Sequence, residues 1–139
     1  MYLLDTNVIS ELRRPKPHPG VVTWLEGIGA DAIFVSAVTI GELQIGVENI
    51  REQDSERAKH VELWVDDVTT HYNVLPMDVP SFRRWAQLIR GQPRDVIADA
   101  MIAATAIVHN LTVVTRNVRD FARFDVAIIN PFQRIAEVG

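Results

Sequence analysis

Three acidic residues, Asp5, Glu42 and Asp99, stand in or shortly after apolar stretches, where a charged side chain needs a physical explanation. Asp5 directly follows the apolar start of the chain, and Glu42 comes soon after an apolar run that ends at Val35. Asp99 interrupts a stretch from residue 96 to 108 that is otherwise apolar except for Thr105. A carboxylate buried in such surroundings must be protonated, hydrogen-bonded, paired with a cation or bound to a metal.

An amide and a further acid, Asn117 and Asp120, follow the apolar run from Leu111 to Val114. Several carboxylates grouped without His or Cys make an oxygen-only site, which suits Mg²⁺ or Mn²⁺ better than zinc. The usual chemistry of such metals is phosphoryl transfer, in which the ion activates water, holds the scissile phosphate and stabilises the leaving oxygen. The residue types therefore indicate metal-assisted chemistry on a phosphate ester.

Most of these residues also have a structural interpretation at a helix end or a turn. Asp5 can cap the helix that follows it, because Asp is a preferred N-cap residue. Thr39 and Glu42 have the spacing of a capping box, in which the Glu bonds back to a backbone N–H. Asn117 and Asp120 can serve a turn, for which both residue types are favoured.

Asp99 has a different structural alternative, which is an ion pair with an Arg. Asp95 lies one turn earlier on the same helical face, so that two carboxylates could point into one cleft. Because Asp95 is nearer the start of the helix, we favour the alternative in which Asp95 is exposed to solvent and interacts with the positive end of the helix dipole.

The candidate acids depend for their positions on predicted strands and helices. Short β-branched or aliphatic runs predict five strands, at Tyr2–Leu4, 32–35, 74–75, 111–114 and 126–129. Between them, helical spacing of apolar residues occurs at Ile40, Leu43, Val47 and Ile50, at Ala58, Val61, Val65 and Val68, and at Val79, Phe82, Ala86 and Ile89. Alternating strands and helices predict an α/β fold with a central parallel sheet flanked by helices on both faces. Because ligands bind outside the carboxyl ends of such strands, we expect the acids to meet there.

The overall composition limits the class of protein. With 139 residues and 47% hydrophobic content, we expect one domain spanning residues 1–139. The sequence has no Cys, which excludes disulfides and thiolate metal sites. Neither a basic leader followed by an apolar segment nor an apolar run of the ~20 residues needed to span a bilayer is present, so we expect a soluble, cytoplasmic protein that does not contact membranes.

Charge and turn residues add two further expectations. The net charge of -4 argues against coating nucleic acid by bulk electrostatics, although twelve of the 14 basic residues are Arg, which favours local contact with phosphate. Pro15, Pro17, Pro19 and Gly20 predict a surface loop early in the chain.

Four sequence motifs resemble those of PIN-domain ribonucleases, and most closely the VapC-type toxins of bacterial toxin–antitoxin pairs, including the FitB-like members. The motifs occur in order along essentially the whole chain, at residues 4–11, at 36–43 with Gly46, at 99–106, and at 115–117 leading to 130–132. The resemblance implies a single PIN-like domain in which Asp5, Glu42 and Asp99 are the metal-binding acids.

The resemblance also assigns supporting roles. Asn117 falls where many relatives carry a fourth acid, which leaves one charge fewer, and Asp120 three residues later is an alternative source of that charge. Thr6 and Thr115 match hydroxyl positions that support the carboxylates or contact phosphate in this family.

The function that the resemblance implies is Mg²⁺- or Mn²⁺-dependent endonucleolytic hydrolysis of RNA, leaving 5′-phosphate and 3′-hydroxyl ends. The four histidines lie outside the candidate motifs, which agrees with a mechanism that does not use a His acid/base pair. Such toxins are usually homodimers, also found in higher assemblies, and are neutralised by a VapB-like antitoxin whose inserted Arg can pair with the carboxylates.

Two other functions remain open from the sequence. One is a phosphatase or phosphotransferase with Asp5 as nucleophile, although the second acid expected two residues later is Asn7. The other is a non-catalytic module that binds RNA or a protein partner through a degenerate site.

Overall fold

A five-stranded parallel sheet in the order β3-β2-β1-β4-β5 forms the centre of the computed structural model, which describes residues 1–133. The strands are β1 (Tyr2–Leu4), β2 (Ile33–Ser36), β3 (Asn73–Leu75), β4 (Thr112–Val114) and β5 (Ile128–Ile129). All five predicted strands are present, β1 with the predicted bounds and the others with bounds that differ by at most two residues. The predicted α/β class with a parallel sheet is confirmed.

Strand β1 lies in the middle of the sheet, where Leu4 is in register with Val35 of β2 and with Val114 of β4. The residues that follow these three are Asp5, Ser36 and Thr115, which therefore lie side by side at the carboxyl ends of the strands. The backbone N–H of Asp5 continues the ladder by donating to the carbonyl oxygen of Val114 at 2.9 Å. Parallel pairing thus brings together residues that are far apart in the sequence.

Seven α-helices and two short 3-10 turns connect the strands within the described residues. The helices are α1 (Thr6–Leu12), α2 (Pro19–Glu26), α3 (Ala37–Arg51), α4 (Ser55–His71), α5 (Val79–Ile89), α6 (Ile97–His109) and α7 (Val118–Ala122). The 3-10 turns are Ala30–Ala32 and Arg94–Val96. No helix in this part of the chain is both long enough and apolar enough to cross a membrane.

Successive side chains of each strand point to opposite faces of the sheet, which creates two hydrophobic cores. Leu4 and its neighbours pack with α1 to α4 on one face, whereas Leu3 and Val113 pack with α5, α6 and α7 on the other. Each fully buried side chain of this size contributes roughly 1.5–3 kcal/mol through removal of apolar surface from water. The expectation of helices on both faces is therefore confirmed.

Helix α5 forms as predicted, but the face chosen from apolar spacing is partly wrong. Val79 and Phe82 are 71% and 44% exposed, and the residues that pack against the core are Trp85, Leu88 and Ile89. Asp78 caps this helix by accepting from Ser81 N at 3.0 Å, which fixes where the helix begins. The inward face of α5 carries Trp85, Leu88 and Ile89, and Ser81 is buried in the first turn.

The predicted early loop is shorter than expected, because Pro19 and Gly20 belong to the first turn of α2. Proline suits this position, since its missing N–H would have no helical partner there. Gly20 is buried, and a Cβ added to it would lie 2.6 Å from the carbonyl oxygen of Pro131. The glycine therefore allows a close approach of two backbones. Of the predicted domain 1–139, the last six residues lie outside the described part.

Candidate active site

Asp5 lies at the carboxyl end of the central strand β1, and both of its carboxylate oxygens accept hydrogen bonds. Oδ1 accepts from the backbone N–H of Thr6 at 2.8 Å. Oδ2 accepts from Thr115 Oγ1 at 2.8 Å and from Asn7 Nδ2 at 3.1 Å. Asp5 is thus the N-cap of α1, as the structural interpretation proposed, and it is also tied across the sheet to the end of β4. The two roles coexist because a carboxylate has two oxygens.

Glu42 projects from the second turn of α3, where the predicted capping box is wrong. The helix is capped by Ser36, whose hydroxyl accepts from Val38 N at 3.0 Å, so that Thr39 and Glu42 both lie inside the helix. Glu42 Oε1 instead accepts from Thr6 Oγ1 at 2.6 Å. A single residue, Thr6, therefore contacts Asp5 through its backbone and Glu42 through its side chain.

Asp99 is half-buried in the first turn of α6, and its pKa is raised to about 7. The largest cause is burial, followed by the negative charges of Asp5, Asp120 and Glu42, while Arg123 opposes the shift. Burial also raises the pKa of Asp5 to about 6, against the opposing hydrogen bonds from Thr115 and Thr6. The structure thus brings the three predicted acids into one electrostatically coupled group.

The two candidates near the end of β4 differ in position. Asn117 is exposed, and its side chain makes no capping bond to α7, although its backbone N–H donates to Thr115 Oγ1 at 2.9 Å. Asp120 is partly buried in α7, pairs with Arg123 at 3.3 Å, and raises the pKa of Asp99. Asp120, rather than Asn117, therefore supplies the negative charge on this side of the group.

Asp95, the other acid considered near Asp99, is exposed in the 3-10 turn before α6. It is not among the charges that shift the pKa of Asp99. The alternative in which it lies at a solvated helix start is therefore the better description.

Two residues, Asn7 and Thr39, belong to the hydrogen-bond network of this site although the sequence predicted no supporting role for them there. Asn7 Nδ2 donates to Asp5 and, at 3.2 Å, to Thr115 Oγ1, while its Oδ1 accepts from the backbone N–H of Arg116 at 3.2 Å. Thr39 is fully buried, with its hydroxyl 3.1 Å from that of Thr6. The sequence shows that Asn7 is a polar residue two positions after Asp5. The hydrogen-bond partners of Asn7, however, depend on which strand lies beside β1.

The side chains of this group have the ligand atoms that a hard divalent cation prefers, but they do not form a preassembled coordination shell. The coupled acids offer only oxygen atoms, which Mg²⁺ and Mn²⁺ prefer. Within residues 1–133, no three acidic or His side chains are grouped closely enough to hold one ion together. Mg²⁺ usually takes one or two carboxylates and completes its shell with water and substrate phosphates. A cation would also offset the burial and repulsion that raise the pKa values of Asp5 and Asp99.

Comparison with known proteins places this arrangement in a family. Residues 2–127 match the PIN domain model. The chain is 37% identical over 137 residues to toxin FitB of Neisseria gonorrhoeae, a match covering 95% of this chain and 99% of the relative. It is 33% identical over 138 residues to VapC ribonuclease Y4jK of Sinorhizobium fredii, covering 96% and 99% of the two proteins.

Solved structures agree with the sequence relatives. The crystal structure of FitAcB from Neisseria gonorrhoeae superposes with a TM-score of 0.83 at 36% identity and covers 95% of this chain and 99% of that one. VapBC-5 of Mycobacterium tuberculosis, a member of the VapBC family of toxin–antitoxin systems, superposes with a TM-score of 0.64 at 27% identity and covers 92% and 96%. With its sheet order, its coupled acids at the carboxyl ends of the strands and a family match over most of its length, this chain belongs to the PIN-domain family.

Proposed function

We propose that this chain is a toxin of a toxin–antitoxin pair, acting as a Mg²⁺- or Mn²⁺-dependent endoribonuclease whose metal-binding acids are Asp5, Glu42 and Asp99. The observation that carries the proposal is the electrostatic coupling of these residues at the carboxyl ends of the strands. Relatives named a toxin and a ribonuclease, each aligned over almost their whole length, support the substrate class and the biological role.

Each residue has a task that its contacts suggest. Asp5 and Asp99 would hold the ion, and Glu42 would complete the group from α3. Thr6 and Thr115 fix the orientation of carboxylates by donating to Glu42 and to Asp5. When bound, the ion supplies activation of water and neutralisation of charge on the phosphate. The products of hydrolysis are a 5′-phosphate and a 3′-hydroxyl.

The alternative of a phosphatase with Asp5 as nucleophile is disfavoured by geometry. Asp5 is only 4% exposed, and both of its oxygens accept hydrogen bonds from Thr6, Asn7 and Thr115. A carboxylate held in this way is poorly placed to attack phosphorus. The same contacts suit a residue that must keep a fixed orientation toward a cation.

An antitoxin of the VapB type is the protein partner that this proposal includes. The VapBC-5 structure of a toxin–antitoxin system supports such a partner, as does the relationship to toxin FitB. An Arg from the partner could pair with the coupled carboxylates in place of the metal, because it relieves the same repulsion. A homodimer, alone or within a larger assembly with antitoxin, and a cytoplasmic location remain predictions from the family resemblance.

The test is cleavage of RNA by the purified chain, with the new ends sequenced. We expect cutting in the presence of Mn²⁺ or Mg²⁺, loss of cutting with a chelator, and products with 5′-phosphate and 3′-hydroxyl ends. Calorimetric titration with Mn²⁺ separates catalysis from a non-catalytic module. Absence of Mn²⁺ binding that depends on Asp5, Glu42 and Asp99 would favour the module and contradict the proposal.

A further inference from the structure

A buried carboxylate that the proposed reaction does not use, Glu11, lies in the last turns of α1. The residue is only 6% exposed, and its Oε2 accepts from the backbone N–H of His18 at 2.9 Å. Its Oε1 lies 3.5 Å from Nη1 of Arg14 and 3.8 Å from Nη2 of Arg116. A buried carboxylate is stable only when it is paired in this way. Glu11 therefore gathers two guanidinium groups around a single oxygen atom.

Arg116 connects this charge cluster to the candidate active site. It directly follows Thr115, and its backbone N–H donates to Asn7, which in turn donates to Asp5. Its guanidinium carbon lies 3.8 Å from the centroid of the Phe132 ring, within the range of a cation–π contact. The side chain of Arg116 is thus held along one face by Phe132 and at one edge by Glu11.

Both guanidinium groups nevertheless remain open to solvent. The side chain of Arg116 is 56% exposed and that of Arg14 is 68% exposed. Within residues 1–133, no hydrogen bond from the guanidinium of Arg116 meets normal distance limits, so its N–H donors are available to a ligand. The planar fork of Arg matches the oxygens of a phosphate, and less conformational freedom is lost when the fork is already held in place.

The negative charge of the protein means that an RNA strand has to be held by local groups of basic side chains. The net charge is -4, and the coupled acids at the site repel a polyanion before a cation binds. Affinity for a nucleic acid strand depends on basic side chains that displace counterions from its phosphates. Arg116 is a basic residue whose own backbone contacts the hydrogen-bond network of Asp5, and Arg14 shares its carboxylate partner.

We propose that Arg14 and Arg116, held together by Glu11 and Phe132, bind phosphates of the RNA strand beside the scissile bond. This role rests on the proposed ribonuclease function and extends it by naming the residues that hold the substrate backbone. It is a binding role, since neither guanidinium is among the groups that shift the pKa of Asp5 or Asp99. Removing either Arg should therefore weaken the binding of RNA more than it slows cleavage of bound RNA.

The test measures binding of the full chain to a labelled single-stranded RNA by fluorescence anisotropy, with a chelator present to prevent cleavage and over a series of salt concentrations. For Arg116→Gln and for Arg14→Gln, we expect affinity to fall by roughly 3–10-fold at physiological salt, with the salt slope reduced by about 0.7 for each phosphate that the variant no longer neutralises. In cleavage assays with metal, both variants should raise KM and leave kcat near that of the parent chain.

The matched control is Arg57→Gln, which removes an exposed Arg in the first turn of α4 that does not pair with Glu11. It should bind RNA with the affinity and salt slope of the parent chain. A further variant, Arg116→Lys, retains the charge without the planar fork, and we expect intermediate affinity. Thermal unfolding of each variant shows whether the fold is retained.

The outcomes separate this proposal from the proposed function. If the parent chain binds and cleaves RNA while folded Arg14 and Arg116 variants match it in affinity, salt slope and KM, the pair serves folding or a protein ligand and the phosphate-binding role is overturned. If the parent chain neither binds nor cleaves RNA under any metal condition, the ribonuclease function itself fails. A fall in affinity confined to the two site variants, with normal binding by Arg57→Gln, supports the role.

Discussion

Thr115 donates its hydroxyl proton to Oδ2 of Asp5 at 2.8 Å, and this bond joins the ends of two neighbouring strands that are 110 residues apart in the chain. Both residues are buried, so the bond is made away from competing water. It leaves the carboxylate of Asp5 in one orientation, with Oδ1 held by the backbone of Thr6. The parallel pairing of β1 and β4 thus fixes the direction in which the central acid presents its charge.

Replacing Thr115 by Val should disrupt this arrangement without creating a cavity. The Thr115 hydroxyl also accepts bonds from Asn7 and from the backbone of Asn117, so that two partly buried donors lose their partner as well as Asp5. We expect a loss of about 1–2 kcal/mol in the free energy of unfolding. Because residues that orient metal ligands typically account for 10–100-fold in affinity, we expect Mn²⁺ binding to weaken by about that factor.

Calorimetric Mn²⁺ titration and urea denaturation measure the two effects. Thr112→Val, at the other end of the same strand, is the matched control and should retain the affinity of the parent chain. Unchanged Mn²⁺ affinity in folded Thr115→Val would show that the bond to Asp5 is structural only.

Asp99→Asn should abolish RNA cleavage, whereas Asp95→Asn should leave it intact. The two acids are one helical turn apart, but Asp99 is coupled to Asp5 and Glu42 and Asp95 is exposed outside the group. Loss of a carboxylate that holds the metal should reduce the cleavage rate by at least ~10²-fold, within the range found when one electrostatic contribution to catalysis is removed. Initial rates on a labelled RNA, with circular dichroism to confirm folding, measure the difference. Equal rates for the two variants would remove Asp99 from the site.

The sequence predicts those parts of the molecule that depend on local patterns. Strands such as Tyr2–Leu4 and the burial of Asp99 in an apolar helix follow from residue types and spacing. The joining of Asp5 to Thr115 follows only if β1 lies beside β4, and the strand order is set by packing of the whole chain. The role of Asn7 was missed for the same reason.

Local sequence patterns gave wrong predictions for the start of α3 and for the buried face of α5. The Thr39–Glu42 spacing fits a capping box, but Ser36 lies at the end of β2 and begins the helix three residues earlier. Similarly, apolar spacing predicts Val79 and Phe82 on the buried face of α5, whereas the residues of this helix that pack against the core are Trp85, Leu88 and Ile89. The elements packed against a helix decide which of its faces points inward, and single-sequence spacing does not fix that choice.

The stability of the metal-free chain should increase as the pH falls through the range in which Asp99 and Asp5 take up protons. Their pKa values are raised from 3.8 to about 7 and about 6, mainly by burial. An acid with a raised pKa in the folded state binds more protons when folded, so its contribution to the free energy of unfolding decreases as pH rises. The cost is absent well below the unfolded value of 3.8 and complete above about 7.

Urea denaturation of the metal-free chain at pH values across this window measures the effect. Because Asp99 is half-buried and partly screened by water, we expect Asp99→Asn to stabilise the chain by only about 1–2 kcal/mol above the folded pKa. The variant should match the parent chain only well below pH 3.8, where Asp99 is protonated in both the folded and the unfolded state. Mn²⁺ should stabilise the parent chain on the alkaline side, where the carboxylates are charged. Greater stability of the metal-free parent chain at the alkaline end would contradict this account.

Asp120, and not Asn117, should tune the charge of Asp99. Asp120 raises the pKa of Asp99 and pairs with Arg123, which lowers it. Asp120→Asn therefore removes a repulsive charge and also releases Arg123 from its partner, and both effects lower the pKa of Asp99. Asn117→Ala changes an exposed side chain that makes no capping bond, so the pKa of Asp99 should stay where it is. Titration of the Asp99 carboxyl carbon by NMR in the metal-free chain distinguishes the two variants.

With one negative charge fewer near the metal ligands, Asp120→Asn should also bind Mn²⁺ more weakly than Asn117→Ala does. A larger effect of Asn117→Ala than of Asp120→Asn on the pKa of Asp99 or on Mn²⁺ affinity would show that Asn117 is the fourth residue of the site.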